Sequence, residues 1–136
     1  MTPRQRPWLT SACATACAAA LALSSTMAWA FSWKRLVKTD TLTLYVDMTT
    51  LERDGDVRRI WEMQDLANPD PNGVRSRRYV NEIDCQQKYH RIGNMTSFTG
   101  PRLTGEKKFE VEDMGYWRRV PPDGTFAVTY VLLCVE

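Results

Sequence analysis

Side chains able to do covalent or acid-base chemistry are sparse in this 136-residue chain. Its one histidine, His90, lies five positions after Cys85 in the stretch NEIDCQQKYHRIG. A Cys/His nucleophilic pair needs the sulfur within hydrogen-bond reach of a ring nitrogen, so that the thiolate forms at neutral pH. On one continuous strand an odd separation puts two side chains on opposite faces, so this pair meets only across a turn or bulge at Gln86-Gln87. The competing reading makes Cys85 half of a disulfide, and it is the stronger one once the cysteines are counted below. A single histidine with no HxH, HxxxH or CxxC spacing makes no recognisable zinc site, and His90 is expected to be a surface or hydrogen-bonded residue. Glu110, Glu112 and Asp113 could suggest an acid/base pair or a cation site. On a strand, however, Glu110 and Glu112 share a solvent face, with Phe109 and Val111 pointing inward. No GxSxG, P-loop or dinucleotide fingerprint is present. The expectation is a non-enzyme with no catalytic residue, no metal and no cofactor.

The elements that position these residues begin after a leader. MTPRQRPW carries Arg4 and Arg6 and no acid, an Ala/Leu-rich segment runs from Leu9 to Met27, and Ala28-Trp29-Ala30 fits a small-x-small cleavage site. Residues 1–30 therefore read as a secretory signal peptide and residues 31–136 as the mature domain. Ser, Thr and Cys dilute the apolar run and no stop-transfer charges follow, which argues against a retained membrane span. Cys13 and Cys17 lie too early in the apolar segment to mark a lipid-anchoring site, and Arg4-Gln5-Arg6 is not a twin-arginine pair.

Removing the leader changes two counts. The eighteen Lys and Arg fall to sixteen, against sixteen Asp and Glu, so the mature domain is neutral and the net-charge case for nucleic acid disappears. Of four cysteines only Cys85 and Cys134 remain, and two cysteines in an exported domain suggest one bridge. Closing a loop of that length is worth on the order of 4 kcal/mol in the chain-entropy picture.

Strand signals divided by turns fill the mature domain. In TLTLYVDM, Leu42, Leu44, Val46 and Met48 point to one side. Asp54-Gly55 is a tight-turn dipeptide, and VRRIWEMQ after it alternates less cleanly, with Val57, Trp61 and Met63 opposite Arg58, Glu62 and Gln64. ANPDPNG is a loop. RRYVNEID and KYHRIGNMTSF flank Cys85 as strands, TGPRLTGE is a second loop, and KKFEVED is a short strand. Antiparallel meandering is the natural topology. The C-terminal stretch fits two readings: Pro121 to Thr125 resembles a helix start, whereas FAVTYVLLCVE is rich in strand formers. The helix is favoured, with Ala127, Tyr130, Val131 and Cys134 expected on the face toward the sheet. The fold class is α+β, a sheet of about five to six antiparallel strands with a C-terminal helix and one disulfide.

Trp33, Trp61, Tyr79, Tyr89, Tyr116 and Trp117 could form a carbohydrate or peptide platform, but core positions are the commoner fate of such residues. Arg75, Arg77 and Arg78 are the densest basic group and the candidate binding residues for an acidic partner.

The ordered set Trp33, Tyr45-Val46-Asp47, Arg53, Gly55, Trp61, Ser76, Ile83-Asp84-Cys85, Tyr89, Trp117, Pro122 and Cys134 resembles the surface-adhesin protein E family over nearly the whole mature chain. The resemblance implies an antiparallel sheet with a C-terminal helix, a disulfide between Cys85 and Cys134, and a homodimer formed through the sheet. It also implies a non-enzymatic protein that binds host matrix or serum proteins. The archetype is lipid-anchored, whereas this chain has no credible lipobox, so the expected location is the periplasm or the outer cell surface without a lipid anchor. The alternative function is a periplasmic structural, accessory or inhibitor protein with an envelope partner and no host ligand.

Overall fold

The computed structural model describes residue 3 and residues 30–135. The leader expected over residues 1–30 lies almost wholly outside the described residues. Turn chemistry sets the first hairpin: Gly55, at φ +56°, takes the left-handed conformation that side chains resist, and joins β2 (Leu42–Asp54) to β3 (Val57–Leu66). In the ANPDPNG loop the Asp70 carboxylate accepts the N–H groups of Asn72 and Val74 at 2.9 and 3.0 Å, which closes the chain before β4 (Ser76–Asp84). A turn over Cys85–Lys88 leads to β5 (Tyr89–Phe98), and a 3-10 turn at Pro101–Leu103 precedes β6 (Lys107–Met114). The sequence reading missed a short first strand, β1 (Lys34–Lys38).

These strands form a six-stranded antiparallel meander in the order β1-β2-β3-β4-β5-β6, as the composition and turn spacing implied. The two-residue β7 (Arg118–Arg119) pairs with Tyr89 and His90 of β5, and β6 with Gly93 to Phe98 farther along the same strand. Gly93 permits this crowding, because a Cβ there would lie 2.4 Å from the Met114 Cα. Helix α1 (Thr125–Cys134) follows and covers one face of the sheet.

Register assigns the two faces. Leu44, Gln64, Arg77 and Ser97 form one cross-strand row, Val46, Glu62 and Tyr79 the next, and Ile60, Asn81 and Ile92 a third, all on the helix side. Tyr45, Met63, Arg78, Thr96 and Glu110 form a row on the opposite face. Consecutive residues Glu62 and Met63 are both buried, at 0% and 1% exposure, because the central strands are covered on both sides. That double burial is why β3 did not alternate cleanly in sequence. On the helix-free face the cover is the N-terminal segment. The Phe31 ring stacks on Trp33 at 4.7 Å and meets the Trp61 edge at 5.4 Å, while the buried Asp47 carboxylate accepts the Ser32 N–H at 2.8 Å.

The helix presents only part of the face its sequence suggested: Tyr130 and Cys134 lie beside the core as expected, whereas Val131 does not. Thr129 and Leu133 are buried, and Leu133 joins Val46, Ile60 and Ile83 in the core with Tyr130 and Cys134 beside it. Val131, expected toward the sheet, is 56% exposed. The segment TFAVTYVLLC is apolar nearly all round, so periodicity alone could not select its buried side. The Cys85–Cys134 disulfide fixes the end of the helix to the β4–β5 turn, with Cα atoms 5.3 Å apart, and the Tyr130 hydroxyl donates to the Cys85 carbonyl at 3.3 Å.

Candidate functional site

The Cys85 sulfur is committed to the disulfide, so no thiolate forms at this position. His90 is neither a surface nor a hydrogen-bonded residue. It is 2% exposed, its ring lies 4.5 Å from that of Phe126 under helix α1, and neither ring nitrogen has a hydrogen-bond partner. Burial, and secondarily the Arg118 charge, lower its pKa, so the neutral imidazole is favoured. Among the described residues there is no group of three or more His, Cys, Asp or Glu placed to hold a metal ion.

A second polar group lies under the same helix. Glu62 is fully buried, its Oε1 accepts the Asn81 Nδ2 proton at 3.0 Å, and its Oε2 has no hydrogen-bond partner. Desolvation raises its pKa, against smaller opposing contributions from Asn81, Thr129 and Tyr79. The buried Tyr79 phenol is pushed well above its usual range by desolvation and then by the neighbouring Glu62 charge. Sequence reading placed Glu62 on the polar face of its strand. The signal that marks it is the broken alternation of VRRIWEMQ.

The three arginines do not form one patch. Arg75 Nε donates to the Leu66 carbonyl at the base of the loop, and Arg77 Nε donates to Gln64 Oε1 at 2.8 Å on the helix side. Arg78 points the other way, its guanidinium 5.3 Å from the Phe31 ring centre and 5.7 Å from that of Trp61. Successive residues of a strand point to opposite faces, so the run Arg75-Ser76-Arg77-Arg78 is dense in sequence but divided in space.

Every guanidinium–ring contact among the described residues lies on the helix-free face. Besides Arg78, Arg102 sits 5.0 Å from the Tyr45 ring centre and Arg91 lies 4.6 Å from that of Trp117. Glu82, nearly buried, bridges Arg59 at 2.7 Å and Arg91 at 2.8 Å. Ser76, also buried, donates to the Gly100 carbonyl at 2.6 Å and accepts the Leu103 N–H at 2.8 Å, which pins the 3-10 turn beside this face. The aromatic residues divide accordingly: Tyr79 is core, whereas Tyr116 is 90% exposed and Trp117 40%.

The least satisfied part of the sheet is its last strand. β6 is exposed along nearly its whole length, and the side turned away from β5 pairs with no strand among the described residues. Phe109 and Val111, expected inward, are 48% and 52% exposed, because β6 lies beyond the reach of helix α1. Glu110 and Glu112 alternate with them. Glu110 accepts from Lys107 at 2.7 Å, and that hydrogen bond lowers its pKa. Between β6 and the centre of the sheet is a notch of about 380 Å³, lined by Trp61, Arg78, Met95, Thr96, Glu110 and Glu112 among others. A long edge with open backbone groups and exposed apolar side chains is a template for pairing with another strand.

No helix among the described residues is long and apolar enough to cross a membrane. The structure is similar to Haemophilus influenzae protein E in crystal form II, with TM-score 0.55 and 17% identity over 75% of this chain and 86% of that one. The selenomethionine form of the same protein gives TM-score 0.54 and 15% identity over 76% and 86% of the two chains. Protein E from non-typeable H. influenzae gives 0.51 and 17% over 75% and 74%. At these identities the likeness is one of fold. No curated protein matches the sequence. The profile of the surface-adhesin protein E family matches residues 33–135, and the chain belongs to that family.

Proposed function

We propose that this chain is an exported, non-enzymatic binding module of the adhesin E type, which holds an extended segment of an extracellular or envelope protein along the free edge of β6. The observation that carries the reading is that edge: a strand paired on one side only, among the described residues, with Phe109 and Val111 exposed on one face and Glu110 and Glu112 on the other. Backbone pairing supplies affinity to an added strand, and alternate side chains supply selectivity. The acidic side favours basic residues in the partner. Of the three arginines offered from sequence, Arg78 enters this proposal through the notch beside β6.

A second occupant of the same edge is another copy of the chain. Antiparallel pairing about a two-fold axis through Glu110 would set Lys107 opposite Asp113, Lys108 opposite Glu112 and Phe109 opposite Val111. Two of those pairs are of opposite charge and one is apolar, which supports a homodimer continuous with the sheet, while Glu110 on the axis meets its own copy and opposes it. Lysines on an edge strand discourage pairing, so Phe109→Lys with Val111→Lys is the informative variant. Adhesion of wild type and variant to immobilised basement-membrane extract, with mass by light scattering, tests both occupants. Loss of adhesion in a variant that melts as wild type does is the expected result; undiminished adhesion removes β6 from the account.

A further inference from the structure

Away from β6, a groove of about 470 Å³ runs between helix α1 and the segment after β7. Its floor is apolar, formed by Val120, Pro121 and Pro122 on one side and by Ala127, Tyr130 and Val131 on the other. The helical residues belong to the stripe that the sequence suggested would lie on the sheet; in the structure Val131 turns outward to this groove, while Tyr130 lines it and also packs beside the core. The walls are tied together. The Val120 N–H donates to the Lys88 carbonyl at 2.9 Å, the Tyr130 hydroxyl donates to the Cys85 carbonyl, and the disulfide joins the helix end to the same turn. The cross-links hold apolar surface open to solvent rather than closing over it, which is the character of a preformed pocket for an apolar body.

The rim decides the ligand's charge. Lys88 and Arg119 line the groove, both are exposed, and neither forms an ion pair among the described residues. No carboxylate belongs to the lining. Two uncompensated cations beside an apolar floor fit a molecule with an apolar body and an anionic end. We infer that this groove binds a single-chain anionic amphiphile, a fatty-acid anion being the simplest case, with the chain on Ala127, Val131 and Val120 and the headgroup at Lys88 and Arg119. The site is separate from the β6 edge and is independent of the partner proposed there.

The test is calorimetric titration of the purified protein with sodium laurate below its micellar concentration, alongside uncharged monolaurin and an acidic peptide. Methyl NMR of Ala127 and Val131 locates the ligand. The inference expects one laurate per chain, shifts at those methyls, and a preference for laurate over monolaurin. Lys88→Gln with Arg119→Gln should weaken laurate roughly fivefold to tenfold, the scale of two exposed charge contacts. Val131→Glu, at an exposed position, should abolish binding with the melting temperature retained, and serves if the double variant does not fold. Absence of laurate binding, equal affinity for monolaurin, unchanged affinity in the variants, or binding of the acidic peptide in place of laurate each overturns it.

Discussion

Replacing Glu62 by glutamine should make the protein more stable at neutral pH and leave it nearly unchanged in acid. Glu62 is completely buried, and an ionised carboxylate has room for several hydrogen bonds. Here Oε1 receives one, from Asn81 at 3.0 Å, and Oε2 receives none. Desolvation therefore raises the carboxyl's folded-state pKa above the ordinary value of 4.5. A group raised on folding contributes its stability below the unfolded value and loses it as pH climbs through the folded one. At pH 7.5 the wild type bears either a buried charge or the work of keeping a proton, whereas the amide bears neither and has the same shape. An unsatisfied buried group of this kind costs about 1–3 kcal/mol. A gain of about 2 kcal/mol corresponds to about 10 °C in a domain of this size. Circular-dichroism melts of Glu62→Gln and wild type at pH 4, 6 and 7.5 measure it. The melting curves should separate as pH rises above about 4.5. A variant no more stable than wild type at pH 7.5, or one stabilised equally at pH 4 and 7.5, would refute the reasoning.

His90 works in the opposite direction: its pKa is lowered on folding, so its contribution is complete above about 6.5 and fades as pH falls below that. His90→Leu should therefore lose less melting temperature than wild type between pH 6.5 and 5, and equal losses would show that the imidazole charges freely in the folded state. Replacing Cys85 and Cys134 together by alanine opens a loop with sequence separation 49 and should cost about 4 kcal/mol in chemical denaturation, most of the stability of a small domain. Glu82→Gln removes the carboxylate between two half-exposed arginines and should cost about 1–2 kcal/mol after allowance for solvent, less in high salt; a salt-independent change would contradict an electrostatic origin. Asp47→Ala releases the Ser32 N–H and should increase Trp61 fluorescence quenching by iodide, as the Phe31–Trp33 cover loosens.

The meander was legible because turn residues punctuate it: Asp54-Gly55, the ANPDPNG loop and Gly100-Pro101 each separate strands whose neighbours in sequence are neighbours in space. The disulfide was legible from the two cysteines that remain after the expected leader. Burial was not, and for one physical reason. Period-two reading assumes one wet face, but β3 and β4 are covered by α1 on one side and by Phe31 and Trp33 on the other, so Met63 and Val80 on the helix-free face are as buried as Ile60, Glu62 and Asn81 under the helix. The opposite error occurred at β6, where Phe109 and Val111 alternate like core residues but lie beyond the helix. The apolar helix concealed its own orientation, and the arginine run concealed its division between two faces. Side-chain alternation specifies which residues share a face; only the tertiary arrangement specifies which faces are covered.

The proposal that the β6 edge meets partners at the cell surface depends on the chain being displayed there. Protease added to intact cells, with outer-membrane permeabilisation as the control for cleavability, addresses that most directly. Degradation on intact cells is the predicted result. Protection until permeabilisation would contradict surface display, place the protein in the periplasm, and move the search for β6's partner to the envelope.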